Sequence, residues 1–208
     1  MGKLEIRCIV VGMIQTNCYL IYDDEVRKAL ITDPGDNADY IISCVSTLNV
    51  SVEAILITHG HGDHFKALQE LKDYYHVPVY VHRDDAYRLK SQGGFVPASY
   101  KLENDDVLLD DGASLELGGL KISVIHTPGH TEGGVCYYFP DHGVLLSGDT
   151  LFHHSWGRTD FDGGDEEALF RSIREKLLPL PEDTLVLPGH ESTTTIGEER
   201  KVHGYTGI

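Results

Sequence analysis

The 208-residue chain has few cysteines and few basic residues, and each shortage excludes a class of protein. Its cysteines lie far apart and form no Cys-x-x-Cys pair: Cys8, Cys18, Cys44 and Cys136. They therefore indicate reduced thiols rather than a disulfide framework. Lys and Arg number 17 against 33 Asp and Glu, a formal net charge of −16. This balance disfavours nucleic acid or an anionic membrane surface as a partner, since both require a basic face.

Further absences concern membranes and two common catalytic motifs. The apolar stretches are far too short to span a bilayer, and Lys3, Glu5 and Arg7 stand where a signal peptide would be apolar. The sequence contains neither the phosphate-binding pattern Gly-x-x-x-x-Gly-Lys-Ser/Thr nor the Gly-x-Ser-x-Gly of a serine nucleophile. We therefore expect a cytoplasmic protein that uses neither chemistry, built as a single domain over residues 1–208.

Strand and helix patterns run along the whole chain. The continuous apolar run 54–57 predicts a strand buried on both faces. Other segments also have strand character: 4–10, 17–22, 27–32, 77–81, 114–117, 121–125, 135–139, 144–146 and 184–187. A hairpin across 23–25 is expected to join the second of these segments to the third. Helical spacing predicts helices at 38–48, 66–75, 84–90 and 165–178. Strands in runs with helices interspersed favour an α/β fold of two sheets with helices outside them.

What the chain has in excess is histidine, with 12 residues. The strand at 54–57 runs into Thr58-His59-Gly60-His61-Gly62-Asp63-His64. Alternate spacing just past a buried strand lets the side chains of His59, His61 and Asp63 converge, and the glycines permit a tight loop. Imidazole and carboxylate ligands suit zinc, iron or manganese, while the lack of cysteine ligands argues against a structural zinc site.

Three later strand ends each carry one more ligand-type residue. His130 follows the strand that ends at 125, Asp149 follows 144–146, and His190 follows 184–187. With the first motif they supply five histidines and two aspartates, enough for two metal ions that share one carboxylate. Such a pair of ions, about 3.5–4 Å apart, can activate a bridging hydroxide near neutral pH, which predicts hydrolytic chemistry.

These motifs resemble those of the metallo-β-lactamase fold superfamily, and in particular the short single-domain relatives of the glyoxalase II (hydroxyacylglutathione hydrolase) branch. The most diagnostic stretch is Gly148-Asp149-Thr150-Leu151-Phe152, followed by Gly157-Arg158-Thr159-Asp160. The resemblance covers nearly the whole chain. It implies an αββα sandwich of two mixed sheets with outer helices.

The resemblance also implies a role for each motif residue. His59, His61 and His130 would bind a first metal ion; Asp63, His64 and His190 would bind a second, with Asp149 between the two ions. Asp63 would also orient the nucleophile or accept its proton. Asp33 would orient a ligand imidazole. Arg158 would contact a substrate anion, the alternative being an ion pair with Asp160 or Asp162.

The implied reaction is hydrolysis of a small acyl thiol, such as S-lactoylglutathione, by a hydroxide bridging two divalent ions. Zinc is the expected metal, with iron and manganese as alternatives. A small-molecule substrate is the expected partner, and a homodimer is an open alternative. Only 18 residues follow His190, without the helical region that supplies glutathione contacts in full-length glyoxalase II. Glu191 stands where relatives usually have glycine.

Other functions remain open. Mononuclear iron persulfide dioxygenases share the fold, the ligand set and the run Gly157-Arg158-Thr159-Asp160-Phe161, but the complete second site and Thr194-Thr195-Ile196-Gly197 favour a hydrolase. A lactonase of the same superfamily is a further alternative. A β-lactamase is disfavoured, because we expect the resemblance to those enzymes to be confined to the metal motifs. A protein that only stores metal or binds a partner would show full metal occupancy without turnover.

Overall fold

The computed structural model describes residues 2–90 and 96–204. The strands are β1 (Leu4–Val11), β2 (Thr16–Asp23), β3 (Lys28–Thr32), β4 (Ser51–Leu56), β5 (Val79–His82), β6 (Val107–Leu109), β7 (Ser114–Leu117), β8 (Leu120–His126), β9 (Val135–Phe139), β10 (Val144–Gly148), β11 (Leu151–Phe152), β12 (Ser155–Trp156), β13 (Leu185–Pro188) and β14 (Thr194–Thr195). The helices are α1 (Ala38–Ser46), α2 (Gly62–Phe65), α3 (Leu68–Tyr75), α4 (Ala86–Leu89), α5 (Glu166–Ser172), which continues into a π-helical turn at Ile173–Leu177, and α6 (Ile196–His203).

The long strands form two mixed sheets. The first has the order β1-β2-β3-β4-β5-β6, antiparallel up to β3 and parallel from β3 to β6. The second has the order β14-β13-β10-β9-β8-β7, in which only the β10–β13 pair is parallel. The short strands β11 and β12 form a separate hairpin. The sequence-predicted hairpin across 23–25 joins β2 to β3.

Three apolar layers hold the fold together. The innermost lies between the two sheets, a second lies between the first sheet and helices α1 and α3, and a third lies between the second sheet and helix α5. The end of strand β4 and the residue after it contribute to two of these layers. Ile55 and Ile57 face the helices while Ala54 and Leu56 face the other sheet, and all four are fully buried. This alternation confirms the predicted burial on both faces and the αββα arrangement of two mixed sheets.

Some elements differ from the sequence prediction. The predicted helix at 66–75 begins earlier and is interrupted, because α2 starts at Gly62 and α3 at Leu68. The helix predicted over 165–178 is capped by the Asp165 carboxylate, which accepts from the Ala168 N–H at 2.9 Å, but ends as the π-helical turn. Within the described residues, no helix is both long and apolar enough to cross a membrane.

Strand direction determines where the loops meet. Strands β3 and β4 are parallel, so Asp33 and the Thr58–His64 run follow neighbouring strands at the same edge of the first sheet. Strands β10 and β13 are also parallel, so Asp149 and His190 follow neighbouring strands of the second sheet. The loops that carry the candidate ligands therefore gather at one end of the sandwich.

Candidate metal centre

His59, His61 and His130 form one cluster at this end of the sandwich. One nitrogen atom from each ring lies within 4.8 Å of the others. The shortest of these contacts joins His61 Nδ1 to His130 Nε2 at 2.8 Å. Two ring nitrogens at that distance, each with a lone pair, need either a shared proton or a shared cation between them.

Asp63, His64 and His190 form a second cluster beside the first. Their ligand atoms also lie within 4.8 Å of one another. Asp63 Oδ2 is 3.4 Å from His64 Nε2 and 3.3 Å from His190 Nε2. Asp63 and His64 belong to α2, so the short helix brings the last part of the His-rich run into this second group.

The Asp149 carboxylate lies between the two clusters. Its Oδ1 atom is 3.4 Å from His64 Nε2, and its Oδ2 atom is 3.5 Å from His130 Nε2 and 3.6 Å from His190 Nε2. Gly189 makes this approach feasible, since a Cβ atom there would stand 2.3 Å from Asp149 Oδ1. The structure thus brings together at one site all seven residues predicted as ligands, Asp149 included.

Three of the imidazoles are held through Nδ1, the ring nitrogen that faces away from the centre. His64 Nδ1 lies 3.0 Å from Asp33 Oδ2, His59 Nδ1 lies 3.1 Å from Thr58 Oγ1, and His130 Nδ1 lies 2.6 Å from the Arg158 carbonyl oxygen. These partners fix the orientation of each ring and leave Nε2 directed into the centre, as metal-binding histidines require. Asp33 therefore contacts a candidate ligand imidazole.

Two buried atoms in the centre lack hydrogen-bond partners. His59 Nε2 and Asp149 Oδ1 are inaccessible to solvent and make no hydrogen bond. An unpaired buried polar atom costs about 1–3 kcal/mol, so such atoms call for an explanation. A divalent cation between the clusters would satisfy both atoms. A donor set of imidazoles and carboxylates fits zinc, iron or manganese and does not choose among them.

The two clusters of the centre differ in their electrostatic environment. Burial and the imidazoles of His64 and His130 hold the pKa of His59 well below its ordinary value, and burial together with His130 lowers the pKa of His61 to about 3. Burial also opposes protonation of His64, but three nearby carboxylates outweigh it and raise the pKa of His64 to about 10. His59 and His61 of the first cluster are therefore neutral, whereas carboxylates dominate the second cluster and attract positive charge.

Arg158 lies at the rim of the centre and is held by Asp160. Its Nε and Nη2 atoms donate to the two carboxylate oxygens, each at 2.6 Å. The guanidinium also lies over the Phe161 ring, 4.0 Å from the ring centroid. Of the two roles expected for Arg158, the ion pair is therefore present, and its partner is Asp160. Both side chains are more than half exposed, so the pair is weak and can open to an anion.

Phe161 is a rim residue to which we assigned no role from the sequence, although it ends the run that begins at Gly157. Its ring is about half exposed and contacts the His61 ring edge to face, with the centroids 5.6 Å apart. An aromatic ring in a glycine-flanked turn carries no periodic signal. The only available indication was its position directly after the Gly157–Asp160 motif.

A small pocket beside Asp63 was also missed. It has a volume of about 140 Å³, and its lining combines four apolar residues with polar and charged ones: Met13, Ile14, Val96 and Pro97 with Thr16, Asp36, Asp63 and Lys66. Met13 is 83% exposed, a large apolar side chain left at the edge of the site. The signal in the sequence was the apolar pair Met13-Ile14 between the first two strands.

Glu191, directly after His190, has a φ of 65°. This left-handed conformation strains any residue with a Cβ atom and suits glycine. The backbone is held in place by Asn17, whose Nδ2 donates to the Glu191 carbonyl oxygen at 3.0 Å. The departure at Glu191 is thus a matter of backbone strain, and its side chain is exposed.

Comparisons with known proteins agree with this architecture. The chain is 38% identical to hydroxyacylglutathione hydrolase GloC of Haemophilus influenzae, over 95% of this chain and 96% of that protein. Among solved structures, the BLEG-1 B3 metallo-β-lactamase has a TM-score of 0.90 at 39% identity, covering 98% of this chain and 100% of that one. TTHA1623 in a di-iron-bound form has a TM-score of 0.84 at 34% identity, covering 94% and 98%.

The match to BLEG-1 corrects one expectation. Resemblance to proteins called β-lactamases was expected only in the metal motifs, but here it extends over nearly the whole chain. Residues 11–190 match the family described as the metallo-β-lactamase superfamily. With its αββα layers and its cluster of histidines and aspartates, the chain belongs to the metallo-β-lactamase superfamily.

Proposed function

We propose that this protein is a dinuclear metal-dependent hydrolase that cleaves a small thioester such as S-lactoylglutathione. The observation that carries the proposal is the position of Asp149, whose two oxygens lie within 3.6 Å of nitrogens from both clusters. In this proposal His59, His61 and His130 bind one ion, and Asp63, His64 and His190 bind the other. Asp149 is shared between them.

In this reaction the bound ions and the side chains of the centre would have different roles. Metal ions held by the two clusters would polarise the acyl carbonyl and lower the pKa of a water molecule. Burial opposes ionisation of Asp63, but His64 and His190 outweigh it and lower the pKa of this carboxyl group. Asp63 is thus ionised and acts as an acceptor, and its hydrogen bonds orient the attacking water. Thr16 Oγ1, 3.4 Å from Asp63 Oδ2, helps to hold the carboxylate in place.

The surroundings of the centre favour a substrate with a short acyl group and an anionic remainder. The 140 Å³ pocket beside Asp63 is mostly apolar and has room for only a few carbon atoms. On the other side, Arg158 and Phe161 offer a guanidinium and an aromatic face at the rim. A carboxylate of the substrate could displace Asp160 from Arg158, since the ion pair is exposed to solvent.

The comparisons support hydrolysis as the reaction class and also support iron, one of the expected alternatives to zinc. GloC, named a hydroxyacylglutathione hydrolase, is similar over almost its whole length. TTHA1623 holds two iron ions, so a dinuclear iron centre is as compatible with this fold as the expected zinc. The donor set accepts either metal, and supply during expression would decide between them.

A second candidate is hydrolysis of a β-lactam ring, which the similarity to BLEG-1 favours. The same two clusters would serve, because both substrates present a carbonyl carbon for attack. The two candidate functions differ only in their substrate. Both substrates can therefore be tested on one preparation of the protein.

The test is a substrate comparison on purified protein whose zinc, iron and manganese contents are measured in the same sample. We expect cleavage of S-D-lactoylglutathione with kcat/KM above about 10⁴ M⁻¹s⁻¹, within the range of ordinary enzymes. A cephalosporin should be cleaved far more slowly, and glutathione persulfide should cause no oxygen uptake. His59→Ala serves as the inactive control. Preferred cleavage of the cephalosporin would transfer the proposal to β-lactams, and oxygen uptake would contradict hydrolysis.

A further inference from the structure

Asp85 is a buried carboxylate that precedes helix α4 and lies under the first cluster. Asp85 is completely inaccessible to solvent, with 0% of its surface exposed. Its Oδ2 atom accepts hydrogen bonds from the Gly60 N–H at 2.6 Å and the Thr131 hydroxyl at 2.8 Å. Its Oδ1 atom accepts one from the Gly133 N–H at 2.8 Å. One carboxylate therefore joins two loops that are far apart in the sequence.

The donors are the immediate neighbours of the first cluster. Gly60 lies between His59 and His61, and Thr131 directly follows His130. The carboxylate thus connects the backbones that carry all three members of this cluster. His64, in the second cluster, is held from a different direction, by Asp33.

The loops also lie tightly against the start of α4. A Cβ atom at Gly60 would stand 2.6 Å from the Arg88 Cβ, and one at Gly133 would stand 2.4 Å from the Asp85 backbone nitrogen. Glycine is required at both positions for this close approach. Arg88 Nε lies 3.5 Å from Asp85 Oδ1, so the buried carboxylate has a counter-charge.

We infer that Asp85 is a positioning residue that sets the spacing of His59, His61 and His130, and thereby the affinity of the first cluster for a divalent metal ion. The inference rests on the proposed function, because that proposal assigns a metal ion to each cluster. It adds that Asp85 positions the first cluster and does not act on the second.

An Asp85→Asn variant tests this with almost no change in volume. The Gly60 and Gly133 N–H groups are fixed by the backbone and face different oxygens of the carboxylate. Whichever way the new amide turns, its NH₂ group meets one of these donors. That loop must then shift, because an unpaired buried N–H is costly.

The experiment uses backgrounds in which a single cluster remains. His190→Ala disables the second cluster and His61→Ala disables the first, and zinc affinity is measured in each by competition with a chelator. Adding Asp85→Asn should weaken zinc binding by about tenfold or more with His190→Ala, but by less than about twofold with His61→Ala.

Three further variants separate an effect on positioning from an effect on folding. Asp23→Asn is the matched control, because Asp23 is also buried and accepts from the Glu25 and Val26 N–H groups at 2.8 and 3.0 Å in the β2–β3 turn. It should leave zinc affinity unchanged in both backgrounds. If Asp85→Asn does not fold, Thr131→Val removes the single hydroxyl contact and should weaken only the first cluster, while Thr131→Ser should restore its affinity.

Equal weakening in both backgrounds, or none with His190→Ala, would overturn the inference. Backgrounds that bind no zinc would contradict the proposed metal sites and the inference together. Backgrounds that bind zinc in a wild-type protein that cleaves no thioester would contradict only the proposed substrate, and the zinc titration would still decide the role of Asp85.

Discussion

The Asp33 carboxylate holds His64 in place, since its Oδ2 atom lies 3.0 Å from His64 Nδ1. The same oxygen accepts a hydrogen bond from the Thr58 hydroxyl at 2.7 Å. Its Oδ1 atom accepts the Thr58 N–H at 2.8 Å. Thr58 Oγ1 in turn lies 3.1 Å from His59 Nδ1. A single buried aspartate at the end of β3 thereby orients one imidazole of each cluster.

Replacing Asp33 should therefore weaken both metal sites. We expect Asp33→Asn to lower zinc affinity by about 10–100-fold, because the hydrogen bonds behind both rings are disturbed. Chelator competition on the otherwise wild-type chain measures the loss. Asp39→Asn, at an exposed position on α1, is the control and should bind zinc like the parent. Unchanged affinity in Asp33→Asn would show that the rings are held by other contacts.

Arg158 and Asp160 allow a test of anion recognition. If Arg158 contacts the substrate, Arg158→Ala should raise KM for S-D-lactoylglutathione more than it lowers kcat. Asp160→Asn should lower KM, because it removes the carboxylate that occupies the guanidinium at 2.6 Å. Steady-state kinetics on both variants provide the comparison. A rise in KM of similar size in both would mean that the ion pair itself holds the rim in place.

The stability of the protein should depend on His82 as the pH falls. His82 is buried and its ring stacks on that of His126 at 4.1 Å. Burial and His126 lower the pKa of His82, outweighing the nearby Asp84 carboxylate. Below about pH 6.5 the unfolded chain binds a proton at this position more readily than the native protein does, so stability is lost as pH decreases.

The measurement for His82 is urea unfolding of the wild type and His82→Gln at pH 7.5 and pH 5.5. The free energy of unfolding should fall less steeply with decreasing pH in His82→Gln, since the variant lacks that protonation. The histidines that do not contact His82 are common to both proteins and cancel in the difference. Parallel behaviour of the two proteins across this range would contradict the assigned direction of the pKa shift.

Replacing Glu191 with glycine should raise the free energy of unfolding. Its left-handed backbone costs about 1 kcal/mol for a residue with a Cβ atom, and its side chain is exposed. We expect Glu191→Gly to raise the free energy of unfolding of the metal-free protein by up to about 1 kcal/mol. Glu191→Ala, which removes the carboxylate but keeps the Cβ atom, should bring no such gain. Equal effects in the two variants would point to charge instead of strain.

The layers of the fold were predictable because burial leaves a pattern in the sequence. The run at 54–57 is apolar without interruption because Ile55 and Leu56 face two different cores. The convergence of the candidate ligands was predictable for a similar reason, since each follows a strand and parallel strands end at the same edge. Strands β11 and β14 were missed because two residues are too few to show a period.

The contacts behind and around the centre were not predictable in this way. Asp85 stands in an Asp-Asp pair of ordinary appearance, and its partners Gly60 and Thr131 are 25 and 46 residues away. No local rule links such positions. The Arg158–Asp160 pair, separated by two residues, was anticipated as one of two alternatives because it depends on local sequence alone.

The most direct test of a shared dinuclear centre is to count metal ions per chain in the wild type, His190→Ala and Asp149→Ala, and to measure thioester turnover on the same samples. We expect about two ions in the wild type and about one in His190→Ala, since each cluster would hold one ion. Asp149→Ala should retain less than one and lose turnover, because both clusters share this carboxylate. Two firmly bound ions in Asp149→Ala, with turnover intact, would contradict a centre built around Asp149.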